Sequence, residues 1–334
     1  MNILVTGGAG FIGSHFVAAL LADVYPAFTG TSVTVVDNLT YAGSLANLPA
    51  CNPRLRFVRG NVCDAALLTE LVPHHDAVVH FAAETHVDRS LTSASAFTVT
   101  NVLGTQNVLE ACRLSLGPVV VVVSTDEVYG TIAEGSWTEE SPLLPNSPYA
   151  ASKAGGDLIA RSYWRTYDMD IRITRCSNNY GPNQHIEKLI PRFVTNLLQG
   201  LPVPLYGDGS NIREWIHVED HCLGIAAVLD QGRRGRIYNI AGGAEVTNLQ
   251  MTQRLIELCG VDESLIKHVA DRKGHDQRYC LDGSRIESEL GYRPQRSFDE
   301  GLADTVDWYR TQQDWWRPLL NGHSHTPTAQ NVTI

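Results

Sequence analysis

Two adjacent carboxylates stand where this chain could carry out acid–base chemistry. Asp126 and Glu127 follow Thr125 at the end of an apolar run, residues 118–123, that is typical of a β-strand. Open α/β sheets place reacting groups at such strand ends. Because close carboxylates repel each other, one tends to stay protonated while the other ionises, which provides an acid and a base for β-elimination of water. A pair of solvated loop acids is the alternative.

A tyrosine and a lysine four residues apart could supply a second kind of chemistry. Tyr149 and Lys153 share one face if this segment is a helix. We expect the ammonium group to lower the pKa of the phenol from its usual value of about 10, so that the phenolate can accept a proton from a substrate hydroxyl. Thr125 could hold that hydroxyl while a nicotinamide accepts the hydride. The pair therefore indicates alcohol oxidation, with an ordinary amphipathic helix face as the alternative.

The amino-terminal segment provides the nucleotide site that such an oxidation needs. Gly7, Gly10 and Gly13 follow an apolar strand and open a helical pattern, a spacing that permits a tight turn and close approach to a pyrophosphate. Asp37 ends the second predicted strand and could accept hydrogen bonds from both ribose hydroxyls of an adenosine, while repelling a 2′-phosphate. The pattern favours NAD over NADP. A glycine-rich turn of another α/β protein is the alternative.

Composition excludes several other classes. The chain has 334 residues, 43% of them apolar, and a net charge of −10, which disfavours nucleic acid and anionic membranes as partners. The first strand starts at residue 2 and the apolar runs are shorter than the ~20 residues of a membrane helix, so we expect a cytoplasmic protein. Seven dispersed cysteines without a CxxC pair are expected to be reduced. His86, His217 and His275 lack zinc-ligand spacing, and no metal is expected.

Strands alternate with helices through the first half of the chain. The predicted strands cover residues 2–6, 33–37, 55–59, 77–81, 118–124 and 171–176, and the predicted helices cover residues 11–23, 64–72, 94–114 and 148–167. This alternation is typical of an α/β protein with a doubly wound parallel Rossmann sheet.

The second half is richer in turns and predicts a smaller, interleaved, carboxyl-terminal substrate-binding domain. Residues 237–240 read as one more strand that returns to the main sheet. We therefore expect residues 1–177 plus about 213–243 to form the NAD-binding domain. Residues from about 178–212 plus 244–321 would form the substrate-binding domain, and residues 322–334 a loose tail.

Several longer motifs carry a family resemblance over about residues 1–310. The general ones are GGAGFIG, the YxxxK of Tyr149 and Lys153, and SNNYGP, and the more specific ones are HFAAETHVDRS, STDEVYG, EKLIPRF, YGDGSNIREWIHVEDH and DRKGHDQRY. The chain closely resembles the extended short-chain dehydrogenase/reductase superfamily and, within it, the dTDP-glucose 4,6-dehydratases. The general motifs alone leave epimerases and decarboxylases open, whereas the Asp-Glu pair of STDEVYG is the mark of the dehydratases.

The resemblance implies a role for each catalytic residue. Thr125 and Tyr149 would flank the glucose 4-hydroxyl, with Tyr149 as the base, and Lys153 would hold the nicotinamide ribose. Glu127 would remove the C5 proton and Asp126 would protonate the departing C6 hydroxyl. The hydride held on NADH would then return to C6. The products would be dTDP-4-keto-6-deoxyglucose and water, with NAD regenerated in each turnover.

The same resemblance implies two sets of binding residues. The NAD site would comprise Tyr149 and Lys153 together with Gly7, Gly10, Phe11, Ile12, Gly13, Asp37, Asn38, Leu39, Thr40, Asn61, Val62, Phe81, Ala82, Ala83, Thr100 and Asn179. The dTDP-glucose site would comprise Thr125 together with Thr85, Asn178, Lys188, Leu189, Pro204, Leu205, Tyr206, Arg213, Asn248, Asp271, Arg272, Lys273, Gly274, His275 and Tyr279.

Two of these residues need a further remark: Arg213 has an alternative role, and Asn61 departs from the family pattern. Arg213 can bind diphosphate oxygens in bidentate fashion, although an ion pair with Glu214 or Glu219 is the alternative. Asn61 stands where the family usually has Asp beside the adenine. Its amide oxygen can still accept a hydrogen bond from the adenine amino group, so we expect weaker adenine anchoring at most.

Related enzymes pair two long helices across a twofold axis, and this implies a homodimer. The helices at 94–114 and 148–167 carry apolar residues beyond those needed to face the sheet: Val99, Val102, Val108, Leu109, Leu158, Ile159, Tyr163 and Trp164. Burial of all of them within one subunit is the alternative. Two other functions stay open: a nucleotide-sugar epimerase, which has no use for a base at Glu127, and a non-catalytic NAD-sensing protein, which would have broken catalytic motifs.

Overall fold

The structure, a computed structural model, describes residues 1–115, 117–272 and 274–321. The predicted tail at 322–334 and Lys273 lie outside the described residues. The strands are β1 (Asn2–Thr6), β2 (Ser32–Asp37), β3 (Leu55–Arg59), β4 (Ala77–His80), β5 (Val119–Thr125), β6 (Ile171–Cys176), β7 (Asn178–Tyr180), β8 (Val203–Tyr206), β9 (Ile212–His217), β10 (Ile237–Ile240), β11 (Ala244–Thr247) and β12 (Ile266–Val269). The helices are α1 (Phe11–Leu21), α2 (Ala65–Leu71), α3 (Val87–Thr92), α4 (Ala94–Thr98), α5 (Thr105–Arg113), α6 (Pro148–Tyr167), α7 (Leu189–Leu197), α8 (Val218–Gln231), α9 (Asn248–Cys259), α10 (Ser284–Leu290), α11 (Phe298–Thr311) and α12 (Gln313–Asn321).

The main sheet has seven strands in the order β10-β6-β5-β4-β1-β2-β3, and every pair is parallel. Helices cover both faces, so the valine-rich strands are buried on both sides. The predicted α/β class with a doubly wound parallel sheet is confirmed. The strand order changes direction between β1 and β4, and sheets of this kind bind ligands in the crevice at such a point.

Each face of the main sheet has its own apolar core. On one face, Phe16 of α1 and Ile225 of α8 pack against the strands. On the other face, Leu68 of α2 packs with Val108 and Leu109 of α5. The prediction that Val108 and Leu109 lie on an outward face is wrong, because both side chains are fully buried against the sheet.

The predicted helix at 94–114 is not regular. A wide π-helical turn, Val99–Gly104, separates α4 from α5. A β-carbon on Gly104 would lie 2.7 Å from the Val62 side chain, so the glycine permits close approach to the segment after β3. π turns of this kind often occur at functional sites, and this one carries Asn101 toward the helix α6.

The smaller part of the protein has a three-stranded sheet, β11-β9-β7, and a two-stranded sheet, β12-β8. Strand β9 pairs with β7 and β11, so the start of the predicted 213–243 segment lies in this smaller sheet. Helix α8 and strand β10 from the same segment join the main sheet, as expected for interleaved parts. The division into an NAD-binding and a substrate-binding domain stays a prediction.

No helix among the described residues is long and apolar enough to cross a membrane.

Candidate active site

The glycine-rich segment forms a tight turn between β1 and α1. The Gly7 backbone has a φ of 71°, and its N–H donates to the carbonyl of Val36 at 2.8 Å. A β-carbon on Gly13 would clash with the Gly7 carbonyl oxygen. The turn therefore requires glycine at both positions, and it brings the free N–H groups of the first turn of α1 to the edge of the sheet, where they can bind phosphate oxygens.

Asp37 lies at the end of β2, beside this turn. Its carboxylate accepts hydrogen bonds from the N–H groups of Ala9 at 3.0 Å and Leu39 at 2.8 Å. Burial raises the pKa of Asp37, and the two backbone hydrogen bonds oppose that rise. A carboxylate has about four acceptor positions, so two remain for ribose hydroxyls. These groups fit the adenosine half of NAD.

One cavity of about 310 Å³ joins the predicted cofactor residues to the predicted catalytic ones. Its lining includes Thr125, Asp126, Glu127, Tyr149 and Lys153 and these further predicted residues: Gly7, Gly10, Phe11, Ile12, Gly13, Asp37, Asn38, Thr40, Asn61, Val62, Phe81, Ala82, Ala83, Thr85, Thr100, Asn178, Asn179 and Lys188. Leu39 contributes its N–H to Asp37 instead. The structure therefore brings the glycine turn, the acid pair and the Tyr-Lys pair into one site.

The acid pair lies on a short 3-10 turn, Asp126–Tyr129, directly after β5. The Thr125 hydroxyl donates to Asp126 Oδ1 at 3.0 Å and accepts from the Glu127 N–H at 3.4 Å. The turn ends at Gly130, whose φ of 79° suits glycine. A β-carbon there would also clash with the Leu144 carbonyl. The strand end and the glycine together fix the direction of both carboxylates.

The two carboxylates have different electrostatic surroundings. Burial raises the pKa of Asp126 well above its usual range, and the charges of Glu127 and Glu214 raise it further. Burial also raises the pKa of Glu127, but the cationic side chains of Arg272, Arg213 and Lys188 oppose that rise. Asp126 is therefore the carboxyl group that more readily keeps its proton, and Glu127 is the one that more readily ionises. The acid and base roles that the family resemblance implies for these two residues stay a prediction.

Helix α6 carries Tyr149 and Lys153 into the cavity. Pro148 is its first residue, and the Ser147 hydroxyl caps it by accepting from the Ala150 N–H at 3.1 Å. Lys153 Nζ donates to the carbonyl of Val123 at 2.7 Å and so ties the helix to β5. The Tyr149 hydroxyl has a hydrogen bond with Thr125.

The expected lowering of the Tyr149 pKa is wrong for this structure. Burial raises the pKa of Tyr149 well above its usual value, and the negative charge of Glu127 adds to the rise. Burial also lowers the pKa of Lys153. The spacing of Tyr149 and Lys153 reveals their shared helix face but not the desolvation of both groups, which disfavours the charged form of each.

A second group of predicted residues surrounds Glu127 from the smaller part of the protein. Arg213 is buried, with its guanidinium 4.5 Å from the Tyr279 ring centroid, and it donates to the carbonyls of Ile212 and Asp276. Glu214 and Glu219 have other partners, Ser177 and Arg296 among them, so the alternative ion pair of Arg213 is not formed. The positive charge of Arg213 acts on Glu127, where it opposes the rise of the Glu127 pKa.

Other predicted substrate residues have partners of their own. His275 Nδ1 lies 2.6 Å from Asp271 Oδ1, and the His275 and Tyr206 rings are in edge contact. Arg272 forms an ion pair with Asp88 of α3 at 3.6 Å. Lys188 Nζ donates to the Thr85 carbonyl at 2.6 Å. Gly274 has a φ of 63°, and Asn248 is the buried first residue of α9.

Two predicted substrate residues direct their side chains elsewhere. On β8 the burial alternates, so Pro204 and Tyr206 share one face while Leu205 is buried on the other, against Gly209. Leu189 packs against the apolar core of the smaller part. A substrate contact from Leu205 must therefore come from its backbone.

Comparison with known proteins identifies the family. The model of the GDP-mannose 4,6-dehydratase family matches residues 4–305. The chain belongs to this family. A dTDP-glucose 4,6-dehydratase of Streptomyces antibioticus is 58% identical over 321 residues, which are 96% of this chain and 95% of that protein. A crystal structure of the dTDP-glucose 4,6-dehydratase of Streptomyces venezuelae with NAD bound has a TM-score of 0.94 and 62% identity, and covers 96% of this chain and 100% of its own.

Epimerases share the fold of this chain at lower sequence identity. The UDP-glucose 4-epimerase of Thermus thermophilus, solved with NAD, has a TM-score of 0.86 and 33% identity over 93% of this chain and 100% of its own. The resemblance to dTDP-glucose 4,6-dehydratases that the motifs indicated is confirmed by the much higher identity to those enzymes.

Two residues that the motifs did not single out also contribute to the candidate active site. Asp276 accepts a hydrogen bond from the Tyr279 hydroxyl, and its own carbonyl accepts from Arg213 at 2.9 Å, so it orients both groups. Asn101 accepts from the Glu84 N–H at 2.8 Å and donates to Ser152 Oγ of α6 at 2.8 Å. Asp276 lies within the DRKGHDQRY motif, so the sequence could have pointed to it. The position of Asn101 depends on the π turn Val99–Gly104, which the sequence does not predict.

A larger, more open cavity of about 740 Å³ lies between β9, α10 and residues 292–298, away from the acid pair. His217 lines it, whereas His86 and His275 lie near Glu187 and Asp271. Within the described ranges, no group of three or more His, Cys, Asp or Glu side chains is placed to hold a metal ion.

Proposed function

We propose that the protein is an NAD-dependent dTDP-glucose 4,6-dehydratase, a hydro-lyase that forms dTDP-4-keto-6-deoxyglucose and water. One observation carries this proposal. The acid pair of Asp126 and Glu127 lines the same cavity as the oxidation residues Thr125, Tyr149 and Lys153. An enzyme that only oxidised or epimerised a sugar would need the second set but not the first.

NAD would bind between the glycine turn and Asp37. The Gly7–Gly13 backbone would hold the pyrophosphate, and the free acceptor positions of Asp37 would hold the adenosine ribose. When bound, NAD would supply an oxidised nicotinamide that accepts the hydride from C4 and, once reduced, donates it to C6. The hydride returns to the same substrate, so the reaction consumes no outside oxidant or reductant.

Tyr149 would take the proton of the 4-hydroxyl as that carbon is oxidised. Thr125 contacts the same phenol and can hold the hydroxyl in place. Burial raises the pKa of Tyr149 and so disfavours its phenolate. Lys153, one helical turn away on α6, would be the cationic group that stabilises the phenolate during proton transfer. The oxidation leaves a ketone at C4, which makes the C5 proton acidic.

Glu127 and Asp126 would then remove water across C5 and C6. Glu127 takes the C5 proton, the C5–C6 double bond forms, and the C6–O bond breaks as Asp126 gives its proton to the leaving hydroxyl. Hydride delivered at C6 and the proton returned at C5 by Glu127 complete the 6-deoxy sugar. The raised pKa of Asp126 keeps the required proton in place before elimination.

The nucleotide end of the substrate would lie toward the smaller part. Arg213 would donate to diphosphate oxygens through the N–H groups of its guanidinium that the Ile212 and Asp276 carbonyls do not use, and Asp276 and the Tyr279 ring keep it in position. Other predicted residues would surround the nucleoside: Pro204, Leu205, Tyr206, Asn248, Asp271, Arg272, Gly274 and His275.

Product analysis tests the proposal. Purified protein incubated with dTDP-glucose should yield a nucleotide sugar lighter by one water, and UDP- and GDP-glucose should serve as comparison substrates. An epimerised product of unchanged mass would instead favour an epimerase.

We further propose that the enzyme is a cytoplasmic homodimer. Val99 and Leu158 are 46% and 54% exposed on neighbouring helical segments, which supports an apolar contact between subunits. Ile159, Tyr163 and Trp164 are partly buried against the core beneath, and Trp164 packs against Gly235, so they contribute less of this surface. All seven cysteines are free in the structure, which suits a reducing compartment.

A further inference from the structure

The segment after β2 forms one wall of the cofactor cavity. Asn38, Thr40, Ala42 and Gly43 line the cavity, and a 3-10 turn at Leu45–Asn47 ends the segment. We call residues 38–47 the cover segment. Its position beside Asp37 means that a nucleotide held by Asp37 lies against it.

One amide side chain fastens this cover segment to three other parts of the protein. Asn47 Nδ2 donates to the carbonyl of Ala9, in the glycine turn, at 3.0 Å. Asn47 Oδ1 accepts from Asn183 Nδ2 at 3.2 Å and from the indole Nε1 of Trp315 at 2.9 Å. The two donors come from the loop after β7 and from α12. The amide thus connects the turn at the start of the chain to a helix near its end.

The two donors are themselves held in place. The Trp315 ring is in edge contact with Trp308 at 5.1 Å and with Tyr309 at 6.5 Å between centroids, which orients its N–H. Asn183 has a φ of 63°, and the carbonyl before it accepts from His15 Nε2 of α1 at 2.9 Å. Neither Asn183 nor Trp315 lines the cofactor cavity, whereas Asn47 belongs to the segment that does.

We propose that Trp315 and Asn47 form a clasp that keeps the cover segment closed and slows the release of NAD. The proposal rests on the proposed function, because the hydride must return from the cofactor that took it. A cofactor that left in mid-cycle would strand the oxidised sugar. Opening the cover segment breaks the hydrogen bonds of Asn47, and each is worth a factor of roughly 3 to 10 in the opening equilibrium.

The direct test is the exchange of bound NAD for isotopically labelled NAD, without substrate. Trp315→Phe keeps an aromatic ring in the cluster but removes the N–H, and it should speed exchange by roughly 3- to 10-fold. Its kcat at saturating NAD should match the parent. Trp316→Phe is the matched control: it lies in the same helix and loses an indole hydrogen bond, to the Tyr309 carbonyl at 2.7 Å, without touching the cover segment. It should lower Tm and leave the exchange rate unchanged.

A double-variant cycle tests whether Trp315 acts through Asn47. Asn47→Ala should exchange faster than Trp315→Phe, and the double variant should be no faster than Asn47→Ala. Equal exchange rates for Trp315→Phe and the parent, or equal acceleration by Trp316→Phe, would overturn the clasp. A parent protein that binds no NAD would instead refute the proposed function, so the two failures can be told apart.

Discussion

Asp157 and Arg175 form an ion pair with 2.7 Å between Oδ2 and Nε, and both side chains are almost fully buried. Arg175 also donates to the Tyr129 hydroxyl at 2.7 Å and lies over its ring at 4.7 Å. Asp157 stands one helical turn after Lys153, and Tyr129 ends the turn that carries the acid pair. This ion pair therefore connects the helix of the oxidation residues to the turn of the elimination residues.

Breaking this ion pair should destabilise the fold. Asp157→Asn leaves the Arg175 charge buried without its counter-charge, which typically costs about 3–5 kcal/mol of the free energy of unfolding. Asp299→Asn, which removes the exposed partner of Arg254, is the control and should change that free energy little. Urea unfolding of both variants measures the difference, and equal small effects would show that the buried ion pair is not a structural link.

Replacing the base should separate oxidation from elimination. Glu127→Gln should still oxidise C4 but lose exchange of the C5 proton with solvent, because an amide cannot accept that proton. Tyr149→Phe should instead impair the oxidation itself. Single-turnover absorbance of the reduced nicotinamide, together with deuterium incorporation at C5, distinguishes the two. Normal C5 exchange in Glu127→Gln would mean that another group is the base.

The pH dependence of C5 exchange should report the state of Glu127. Glu127 acts as a base only when ionised, so exchange on the bound 4-keto sugar should rise as pH passes upward through its raised pKa. The midpoint should lie above the value of about 4.3 of a free glutamate. Arg272→Ala, at saturating substrate, should move the midpoint higher, because the Arg272 charge opposes the shift. A downward movement would contradict the assignment.

The predicted dimer depends on exposed apolar residues of the helices that flank β5. Leu158→Glu places a charge on that surface and should shift the mass toward the monomer in light scattering at micromolar concentration. Leu201→Glu is a suitable control, because Leu201 is also exposed but lies beyond α7 in the smaller part. A parent protein that is monomeric and fully active would refute the dimer.

Local sequence signals predicted the parts of the site that depend on local structure. The glycine spacing, the acid at the end of β2, the strand before Thr125 and the helix of Tyr149 follow from periodicity and turn chemistry. The sequence also predicts strand β10 in the main sheet, where it pairs with β6. These features need only neighbouring residues to be recognised.

The features that were missed depend on distant partners. Strands β7, β8 and β12 are three or four residues long, too short for a clear alternation, and their pairing joins segments far apart in the chain. The buried state of Val108 follows from how α5 packs on the sheet. The direction of the Tyr149 pKa shift depends on burial, which the helical spacing of Tyr149 and Lys153 does not reveal.

The fate of the hydrogen on C4 tests the central claim most directly. With dTDP-glucose deuterated at C4, the label should appear at C6 of the 4-keto-6-deoxy product, and no reduced cofactor should accumulate in solution. This result follows if oxidation and elimination share one cavity and one retained cofactor. Stoichiometric release of NADH, or loss of the C4 label to solvent, would contradict the account.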